Sequence, residues 1–571
     1  MNRRGLDNHA LRRNGVIAFF GLVALLLAWR AVYLQTAQHE RLQRYSEDIA
    51  VREVKTSAHR GMITDVNGEP LAISTPVQSA WAEPRVLMSH PAQLEKLAGL
   101  IETDVAHLKT ILEPRIAKDF VYLKRHLPPD ASAAIEEAAF AGVHLKKEYR
   151  RYYPTAEVTS HLLGFTNVDD QGQEGVELAF DSYLAGRPGI KRVVRDRRGR
   201  TIEHLEELEQ VRPGADLRLS IDRRLQYVTY RELKSAVGKH RAVSGSIVVL
   251  DARTGEILAL ANQPSFNPNT RKGLIGEYYR NRALTDVFEP GSTLKPFTVA
   301  AALESGAFRP DSVVDTAPGH FSIGRHVVRD IRNRGRISVA EIIRYSSNVG
   351  ASKLALSMDG ETLWSAFRRF GFGSGTGSGL PGESAGKFTH HSNWSEIEQA
   401  TLAFGYGMSV TVLQLARAYQ AIANDGMMRT LSVQADSDVI PEARVMSADT
   451  ARALREMLEV VVEAGTGREA RLAGYSVAGK TGTVHKLTRD GYAESRYRSL
   501  FAGMVPAGRP RLVAAVVIDE PREGAYFGGD VAAPVFANVM RAAARIVNIP
   551  PDRPGELEAP AVQLAAGDGS R

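Results

Sequence analysis

Two residues three positions apart have the types needed for a nucleophile and its base. Ser292 and Lys295 follow the turn-forming pair Pro290-Gly291. Residues at i and i+3 share one face of a helix, so the amine of Lys295 would lie beside the hydroxyl of Ser292. A serine hydroxyl is a weak nucleophile that an adjacent base activates. The same spacing also fits an ordinary helix start with an N-capping serine, so this stretch alone leaves both interpretations open.

The helix that carries this pair is predicted to begin at about Ser292. Pro296 has no N–H to donate, and the first turn of a helix is where that loss is tolerated. The run from Phe297 to Leu303 is apolar almost all round. Such a helix is buried, which would place the serine at the edge of a hydrophobic core.

A second group of polar residues lies near the middle of the amphipathic stretch 339–356. Ser346, Ser347 and Asn348 are small polar residues that form helices poorly. Their presence there is easier to explain if they face a cleft, although a helix junction is the alternative without chemistry.

A third group, Lys480-Thr-Gly-Thr483, follows Val477-Ala-Gly and precedes a turn-rich loop. We expect it on or beside a strand edge, with an ordinary hairpin strand as the alternative. The three groups occur in the order S-x-x-K, S-x-N, K-T-G, and that combination makes chance an inadequate explanation.

The sequence from residue 215 onwards predicts a sheet that would position these groups. Residues 245–260 contain two apolar runs about an Ala-Arg-Thr-Gly turn, which is typical of paired strands. Residues 511–518 are apolar on both faces, and 536–547 have the pattern of a closing helix. Strands at both ends of a helical region predict an antiparallel sheet with helices on both sides, in an α+β protein.

An uninterrupted apolar run begins at Gly15 and, with Arg30 as its one charge, reaches Leu34. Its 20 residues span about 30 Å as a helix, which is the thickness of the bilayer core. A cleaved signal peptide is the rival interpretation, but no A-x-A-like site follows the run. The arginines that precede it predict an N-terminus in the cytoplasm and the rest of the chain on the other side.

Residues 36–214 read as an α+β region of short segments. Asn67-Gly68 predicts a hairpin turn, and helical stretches are expected near 91–118 and 130–141. Glu174 and Glu177 resemble an acid pair in spacing, but no further polar group accompanies them. We interpret them as structural.

Composition excludes several other classes of protein. The chain has 571 residues and no cysteine, so disulfides and thiolate metal sites are absent. The histidines show no metal-binding spacing, and His390-His391 is expected in a surface loop. The basic run 191–200 lacks interleaved aromatic residues and reads as a charged hairpin about Arg198-Gly199, not as a nucleic-acid site. The glycine-rich stretch 371–379 lacks a phosphate-binding pattern and is interpreted as a mobile loop after a helix.

The motif set resembles the class B penicillin-binding proteins of the cell-division type. The resemblance covers nearly the whole chain and includes Arg60-Gly-Met-Ile-Thr-Asp-Val-Asn-Gly68, His161-Leu-Leu-Gly-Phe-Thr-Asn167, Phe404-Gly-Tyr-Gly-Met-Ser-Val-Thr411 and Tyr526-Phe-Gly-Gly529. No stretch resembles the glycosyltransferase module of class A members. Val484 departs from the family, which usually carries a smaller residue there. The predicted segments are a cytoplasmic tail (1–14), a transmembrane helix (15–35), a pedestal of the dimerisation type (36–214), a transpeptidase domain (215–549) and a flexible tail (550–571).

The resemblance implies a peptidoglycan D,D-transpeptidase without metal or cofactor, in which Ser292 attacks a stem peptide ending in D-alanyl-D-alanine. Lys295 would be its base, held neutral by burial and by the charge of Lys480, and backbone N–H groups of Ser292 and Thr483 would form the oxyanion hole. The remaining implied roles are proton relay by Ser346, amide binding by Asn348, carboxylate binding by Lys480, Thr481, Gly482 and Thr483, and an apolar wall from Tyr526 and Phe527.

The expected partners are peptidoglycan stems, β-lactams, the inner membrane and division proteins that include a lipid II-polymerising glycosyltransferase. The catalytic domain would lie in the periplasm. Alternatives are an elongation-type relative, a β-lactamase or β-lactam sensor, and a division scaffold with little catalysis. The main division enzyme and an accessory second copy would share these features.

Overall fold

The structure, a computed structural model, describes residues 4–36, 38, 51–195, 201–270, 276–435, 442–488 and 491–557. The predicted hairpin about Arg198-Gly199 and residues 558–571 of the predicted tail (550–571) lie outside the described residues. The α-helices are α1 Arg4–Thr36, α2 Pro84–Met88, α3 Leu94–Leu100, α4 Val105–Leu112, α5 Pro129–Ala138, α6 Ser160–Leu163, α7 Gly175–Ala179, α8 Asp181–Leu184, α9 Arg223–Lys239, α10 Arg282–Thr285, α11 Lys295–Glu304, α12 Val339–Tyr345, α13 Asn348–Leu356, α14 Gly360–Arg369, α15 Glu396–Leu402, α16 Val412–Ala423, α17 Ala448–Ala464 and α18 Gly528–Ile546.

The strands are β1 Val51–Thr56, β2 Ile63–Thr64, β3 Pro70–Ala82, β4 Val121–Leu127, β5 Val143–Tyr152, β6 Gly189–Arg195, β7 Thr201–Glu209, β8 Leu217–Arg218, β9 Ser244–Asp251, β10 Ile257–Gln263, β11 Val313–Asp315, β12 His320–Ile323, β13 His326–Arg329, β14 Arg336–Ser338, β15 Met427–Arg429, β16 Glu442–Arg444, β17 Ala478–Thr488, β18 Gly491–Val505 and β19 Leu512–Asp519. Short 3-10 turns occur at Pro91–Gln93, Glu113–Arg115, Ala156–Val158, Gly276–Tyr278, Gly291–Leu294, His391–Asn393, Arg468–Ala470 and Pro554–Leu557.

The chain divides into two compact units. Unit 1 comprises Met1–His59, Pro76–Tyr149 and Gly186–Gly214; unit 2 comprises Arg60–Thr75, Arg150–Ala185 and Ala215–Arg571. The predicted domain limits at residues 214 and 215 stay a prediction.

Helix α1 in unit 1 contains the predicted membrane span. Residues Leu11–Thr36 have a mean hydropathy of 2.2 and are not buried against the rest of the protein. These 26 residues exceed the roughly 20 that a bilayer core requires. By length and composition, therefore, α1 can cross a membrane once.

Unit 1 also contains a three-stranded antiparallel sheet in the order β1-β6-β7. Leucines of α2, α3 and α4 form a small core with β4. The helix predicted over 91–118 is interrupted, because residues 101–104 separate α3 from α4. The helix predicted over 130–141 ends earlier, since Ala139 adopts a left-handed conformation with φ 47°.

Unit 2 is organised around a five-stranded antiparallel sheet in the order β10-β9-β19-β18-β17. Both strands predicted over 245–260 and the strand predicted over 511–518 are confirmed as β9, β10 and β19. Strand β17, which carries the K-T-G-T motif, forms one edge, as the sequence predicted.

Alternating side chains of the central strands enter two different cores. Ile247 and Val249 of β9 pack with α9 and α18 on one face, whereas Val248 and Leu250 join the core that contains α11 and α16. Strand side chains point alternately to opposite faces, so a strand covered by helices on both sides is apolar throughout. The predicted arrangement of helices on both faces is confirmed.

The amphipathic stretch 339–356 contains the helix junction that its sequence left open as an alternative, because Ser346 adopts a left-handed conformation (φ 58°, ψ 39°) that ends α12. One helix prediction needs correction. The closing helix predicted from Phe536 begins earlier, at Gly528, and includes Pro534.

The pair Glu174 and Glu177 is resolved in favour of the structural interpretation. Glu177 is fully buried, and its carboxylate lies 2.7 Å from Arg60 and 2.6 Å from Arg151. Glu174 is exposed. Glu177 therefore forms salt bridges with two buried guanidinium groups within unit 2, and Asp181 is a second partner of Arg60.

Candidate active site

Ser292 lies in the 3-10 turn Gly291–Leu294 that leads directly into α11. The prediction of a helical start near Ser292 is confirmed, with Pro296 in the first turn of α11. Most of α11 is buried, including Phe297. Tyr419 of the buried helix α16 donates a hydrogen bond of 2.9 Å to the carbonyl of Thr293. This contact holds the turn in place.

The backbone of this turn has no free space around it. Gly291 has φ +52°, and its N–H donates to the carbonyl of Gly405 at 3.1 Å. A Cβ atom on Gly405 would lie 2.2 Å from the Gly291 carbonyl oxygen, and one on Gly291 would lie 2.2 Å from Cγ1 of Val484. Both glycines are therefore required by close approach, and Val484 fills the space on the β17 side.

Lys295 connects two of the predicted motifs. Its Nζ lies 3.0 Å from Ser292 Oγ, 3.0 Å from Ser346 Oγ, 2.5 Å from the Ser346 carbonyl and 2.8 Å from Asn348 Oδ1. The carbonyl and Oδ1 can only accept hydrogen bonds. A neutral amine would donate its two N–H groups to them and leave its lone pair for a hydroxyl.

The serine-rich motif takes its shape from the break between α12 and α13. The left-handed Ser346 turns its hydroxyl towards Ser292, 3.0 Å from Ser292 Oγ. Ser347 then caps α13 by accepting the N–H of Gly350 at 2.8 Å. The three small polar residues thus form a helix junction that also faces the cleft, so both interpretations of this motif hold.

Asp330, at the end of β13, holds this junction in place. Its carboxylate accepts hydrogen bonds from Ser347 Oγ at 2.5 Å and from the N–H of Val349 at 3.0 Å. Asn348 Nδ2 donates to the carbonyl of Arg329 at 3.1 Å. No local signal in the sequence marks Asp330, since it is far in the chain from the motifs it contacts.

Strand β17 supplies the third motif. Lys480 is fully buried, and its Nζ donates to the carbonyl of Thr481 at 3.2 Å. The Thr481 hydroxyl lies 2.7 Å from that of Thr466, and Thr483 Oγ1 accepts the N–H of Gly528 at 2.9 Å. The threonine hydroxyls are therefore oriented by neighbours in the loop before β17 and at the start of α18.

A cleft of about 660 Å³ lies between these elements. Of the predicted site residues, the following seven line it: Ser292, Ser346, Asn348, Thr481, Thr483, Tyr526 and Phe527. Lys295 and Lys480 lie buried beneath it, and Gly482 packs between Thr293 and Leu500. The fold thus brings residues separated by more than 200 positions in the chain to one cleft.

Aromatic rings form a continuous part of the cleft lining. Tyr526 contacts Phe527 with ring centroids 4.4 Å apart and stacks on Tyr497 at 4.3 Å, and Tyr497 in turn contacts His485 at 4.6 Å. Tyr497 was not among the predicted site residues. Tyr497 lies opposite His485 in the pairing of β18 with β17, and nothing in the sequence itself indicates this position.

Burial shifts the pKa values of the two lysines. Burial lowers the pKa of Lys295 well below its ordinary value, and the positive charge of Lys480 lowers it further, while Asp330 opposes the shift. Burial lowers the pKa of Lys480 to about 7. The amine nearest to Ser292 therefore loses its proton more readily than an exposed lysine does.

No group of three or more histidine, aspartate or glutamate side chains that could hold a metal ion occurs within the described residues. The polar side chains that line or underlie the cleft carry hydroxyl, amine, amide, carboxylate, imidazole and guanidinium groups. A nucleophilic serine beside a neutral amine suits acyl transfer.

Two family matches cover most of the chain. Residues 245–541 match the penicillin binding protein transpeptidase domain, and residues 55–219 match the penicillin-binding protein dimerisation domain. The probable peptidoglycan D,D-transpeptidase PbpC of Pseudomonas aeruginosa is 42% identical over 538 residues, which cover 94% of this chain and 95% of that protein. The peptidoglycan D,D-transpeptidase FtsI of Escherichia coli K12 is 42% identical over 541 residues, covering 93% of this chain and 92% of the relative.

Solved structures show the same fold. Penicillin-binding protein 3 of Mycobacterium tuberculosis in complex with aztreonam matches with a TM-score of 0.68 at 28% identity, over 87% of this chain and 98% of that one. The transpeptidase domain of Burkholderia pseudomallei penicillin-binding protein 3 matches with a TM-score of 0.54 at 43% identity, over 58% of this chain and 97% of the domain.

Proposed function

The chain belongs to the class B penicillin-binding proteins, and from this membership we propose that it crosslinks peptidoglycan as a serine D,D-transpeptidase. The observation that carries the proposal is the position of Lys295 Nζ, 3.0 Å from Ser292 Oγ and within 2.8 Å of two oxygens that can only accept its N–H groups. This arrangement directs the lone pair of a neutral amine at a hydroxyl.

In the acylation step, Ser292 Oγ attacks the carbonyl carbon of the penultimate D-alanine of a stem peptide. The hydroxyl proton passes to Lys295, whose lowered pKa keeps the amine free to accept it. Backbone N–H groups of Ser292 and Thr483 stabilise the oxyanion. Because these N–H groups already point at the oxyanion position, no free energy is spent on reorienting them as the negative charge develops.

The leaving group departs with a proton delivered through Ser346. Ser346 Oγ lies 3.0 Å from both Lys295 Nζ and Ser292 Oγ, so it can pass a proton from the ammonium of Lys295 to the amine nitrogen of the terminal D-alanine. The C–N bond breaks, a Ser292 ester remains, and Lys295 returns to its neutral form.

The substrate is held from both sides of the cleft. Asn348 binds the peptide amide, and Lys480, Thr481 and Thr483 bind the terminal carboxylate, with Gly482 as the close-packed residue between the threonines. Tyr526 and Phe527 cover apolar parts of the ligand. The amine of a second stem then attacks the ester carbonyl and gives up a proton through Lys295 to Ser292 Oγ. The C–O bond to Ser292 breaks, which forms the crosslink and frees the serine.

β-Lactams carry a strained amide that the same serine opens. Because no leaving amine departs from the cleft, the acyl group stays in place and blocks the acceptor. This gives the most direct test: the full-length protein in detergent should form a stable adduct with a labelled penicillin, and Ser292→Ala should form none.

Three outcomes of that test would contradict the proposal. Absence of an adduct on the unsubstituted protein would show that Ser292 is not a nucleophile towards penicillin. Labelling that persists in Ser292→Ala would place the nucleophile elsewhere. Rapid loss of the label with turnover would favour a β-lactamase.

We further propose that the enzyme acts at the division septum, with its N-terminus in the cytoplasm and the catalytic domain in the periplasm. The stretch Gln173-Glu-Gly-Val-Glu177 resembles the division-type members of the family and supports division over elongation. Its partners would be division proteins that include a glycosyltransferase polymerising lipid II. Depletion should give filaments; round cells would instead indicate an elongation enzyme.

A further inference from the structure

A basic segment at the mouth of the cleft has no role in the chemistry described above. Residues 329–336, from the end of β13 to the start of β14, contain four arginines and a single carboxylate, that of Asp330. Arg332 and Arg334 are exposed and line the cleft together with Ile331, which is 95% exposed. We call Arg332 and Arg334 the arginine rim.

The arginine rim has a fixed position relative to the catalytic motif. Asp330 bonds to Ser347 and to the backbone of Asn348, and Asn348 Nδ2 donates to the carbonyl of Arg329. The segment is therefore attached at its start to the residues that face Ser292. Arg332 follows that attachment by two residues.

Arg334 is held by an aromatic ring next to Ser346. Its guanidinium carbon lies 4.2 Å from the ring centroid of Tyr345. Stacking of a planar guanidinium on a ring restrains its orientation and leaves the N–H groups at its edge free to donate in the plane. Such a group is prepared to bind a carboxylate through two parallel hydrogen bonds.

Neither side chain of the arginine rim has an anionic partner in the described part of the chain. Among the residues that the structure describes, no carboxylate forms a salt bridge with Arg332 or Arg334, while the oxygens of Asp330 are occupied by Ser347, Asn348 and Val349. These two guanidinium groups attract anions, although the exposed carboxylate of Asp530 lines the same cleft.

We propose that the arginine rim binds a free carboxylate of the stem peptide beyond the D-alanyl-D-alanine terminus, so that the enzyme selects acidic stems over amidated ones. This proposal rests on the proposed transpeptidase function and names a feature of its substrate. The terminal carboxylate is assigned to Lys480 and the threonines of β17, so the rim serves a second, separate anionic group. The carboxylate could belong to the donor stem or to the acceptor stem, since both have the same chemistry.

The test uses two synthetic thioester donors of identical sequence, one with free carboxylates along the stem and one with those carboxylates amidated. Their kcat/KM values are compared for the full-length protein in detergent, for R332Q/R334Q, and for the control R253Q/R309Q. The control removes the same charge from two exposed arginines that do not line the cleft.

We expect the unsubstituted protein to prefer the acidic donor by about tenfold, as two exposed charge-assisted hydrogen bonds would give. R332Q/R334Q should bring the ratio close to one, and the control should keep it. The preference should also fall as salt is raised from 0.1 M to 1 M, because the Debye length shrinks from about 10 Å to about 3 Å.

The acceptor is tested in the same reaction with acidic and amidated amine acceptors. A preference that appears only in transfer to the acceptor assigns the carboxylate to the acceptor stem. Equal ratios for donors and acceptors in the unsubstituted protein and in R332Q/R334Q would overturn the proposal. Penicillin labelling of Ser292 separates this failure from failure of the proposed function. If the protein forms the adduct but the ratios are equal, the transpeptidase function is supported and only the role of the arginine rim is refuted.

Discussion

The carboxylate of Asp330 accepts the backbone N–H of Asn348 at 2.5 Å. A side chain at the end of β13 thereby caps α13, the helix that begins at the third residue of the S-x-N motif. The orientation of Asn348 and of Ser346 before it depends on this contact, although Asp330 itself touches neither Ser292 nor Lys295. Asp330 is a positioning residue.

We expect Asp330→Ala to slow acylation by a labelled penicillin at saturating concentration by about ten- to a hundredfold, because Lys295 and Ser346 lose their alignment. Loss of the cap should cost about 1 kcal/mol of stability. Asp330→Asn keeps an accepting oxygen and should recover part of the rate. Asp311→Ala, at an exposed position, is the control. An unchanged rate at saturation with only a lowered Tm would show that Asp330 is merely structural.

Lys295→Met should lower the acylation rate by about 10²–10⁴-fold, the usual contribution of a positioned general base. The substitution removes the group that accepts the proton of Ser292 while keeping a side chain of similar length in the buried site. Acylation followed by mass spectrometry, with the melting temperature as a control of folding, tests this. A rate within tenfold of the unsubstituted protein would mean that another group is the base.

The pH dependence of acylation should show a falling limb near pH 7. Burial lowers the pKa of Lys480 to about 7, so the charge that binds the substrate carboxylate is present below that pH and is lost above it. The fall should move to higher pH in Lys480→Arg, whose guanidinium stays charged. A rate of penicillin acylation that is constant from pH 6 to 9 would show that the charge of Lys480 is not needed.

Glu177→Gln should destabilise unit 2 by about 3–5 kcal/mol, because removal of one partner leaves buried charges uncompensated. Arg151 would lose its carboxylate partner, whereas Arg60 would keep only Asp181. Glu174→Gln is the matched control, since it lies three residues away in the chain and is exposed. Urea unfolding should separate the two variants clearly; equal midpoints would show that the buried cluster contributes no net stability.

Stability at low pH should depend on Glu148 in unit 1. Burial alone would raise its pKa, but the hydrogen bonds from Ser79, Tyr122 and Arg125 outweigh it and lower the pKa to about 2. A lowered folded-state pKa means that Glu148 stabilises the fold above its ordinary pKa of 4.5, and that this contribution is lost as pH falls towards 2.

The melting temperatures of the unsubstituted protein and of Glu148→Gln should therefore differ most at pH 7 and converge between pH 4.5 and 2. This comparison isolates Glu148 from other groups that titrate in the same range. A difference that stays constant down to pH 3 would contradict the lowered pKa.

Sequence patterns predicted the helices and strands whose buried residues recur at regular spacing along the chain. Strands β9 and β19 are apolar on successive residues because both of their faces are covered, and α11 is apolar all round because it is buried. The motif residues Ser292 and Lys295 were predicted as neighbours from helical spacing alone. These features depend on local periodicity, which the sequence displays directly.

Contacts between distant segments could not be predicted in this way. Asp330 lies 18 residues before Asn348, and Thr466 lies 15 before Thr481, and nothing in either spacing indicates a contact. The break at Ser346 was one of two interpretations left open, because the amphipathic pattern continues across it. The start of α18 was missed because glycine is an unusual residue at the start of a helix. A Cβ atom on Gly528 would lie within 2.3 Å of the carbonyl oxygens of Gly482 and Leu500, so no side chain fits there.

The close fit of Gly291, Gly405 and Val484 also determines how this enzyme can evolve under antibiotic selection. A larger residue at either glycine would displace the nucleophile for drug and stem alike, so changes in the turn cannot separate the two ligands. We expect resistant variants to carry substitutions in the walls of the cleft instead. Selection of random variants on a penicillin gradient would reveal that distribution, with the serine turn left unchanged.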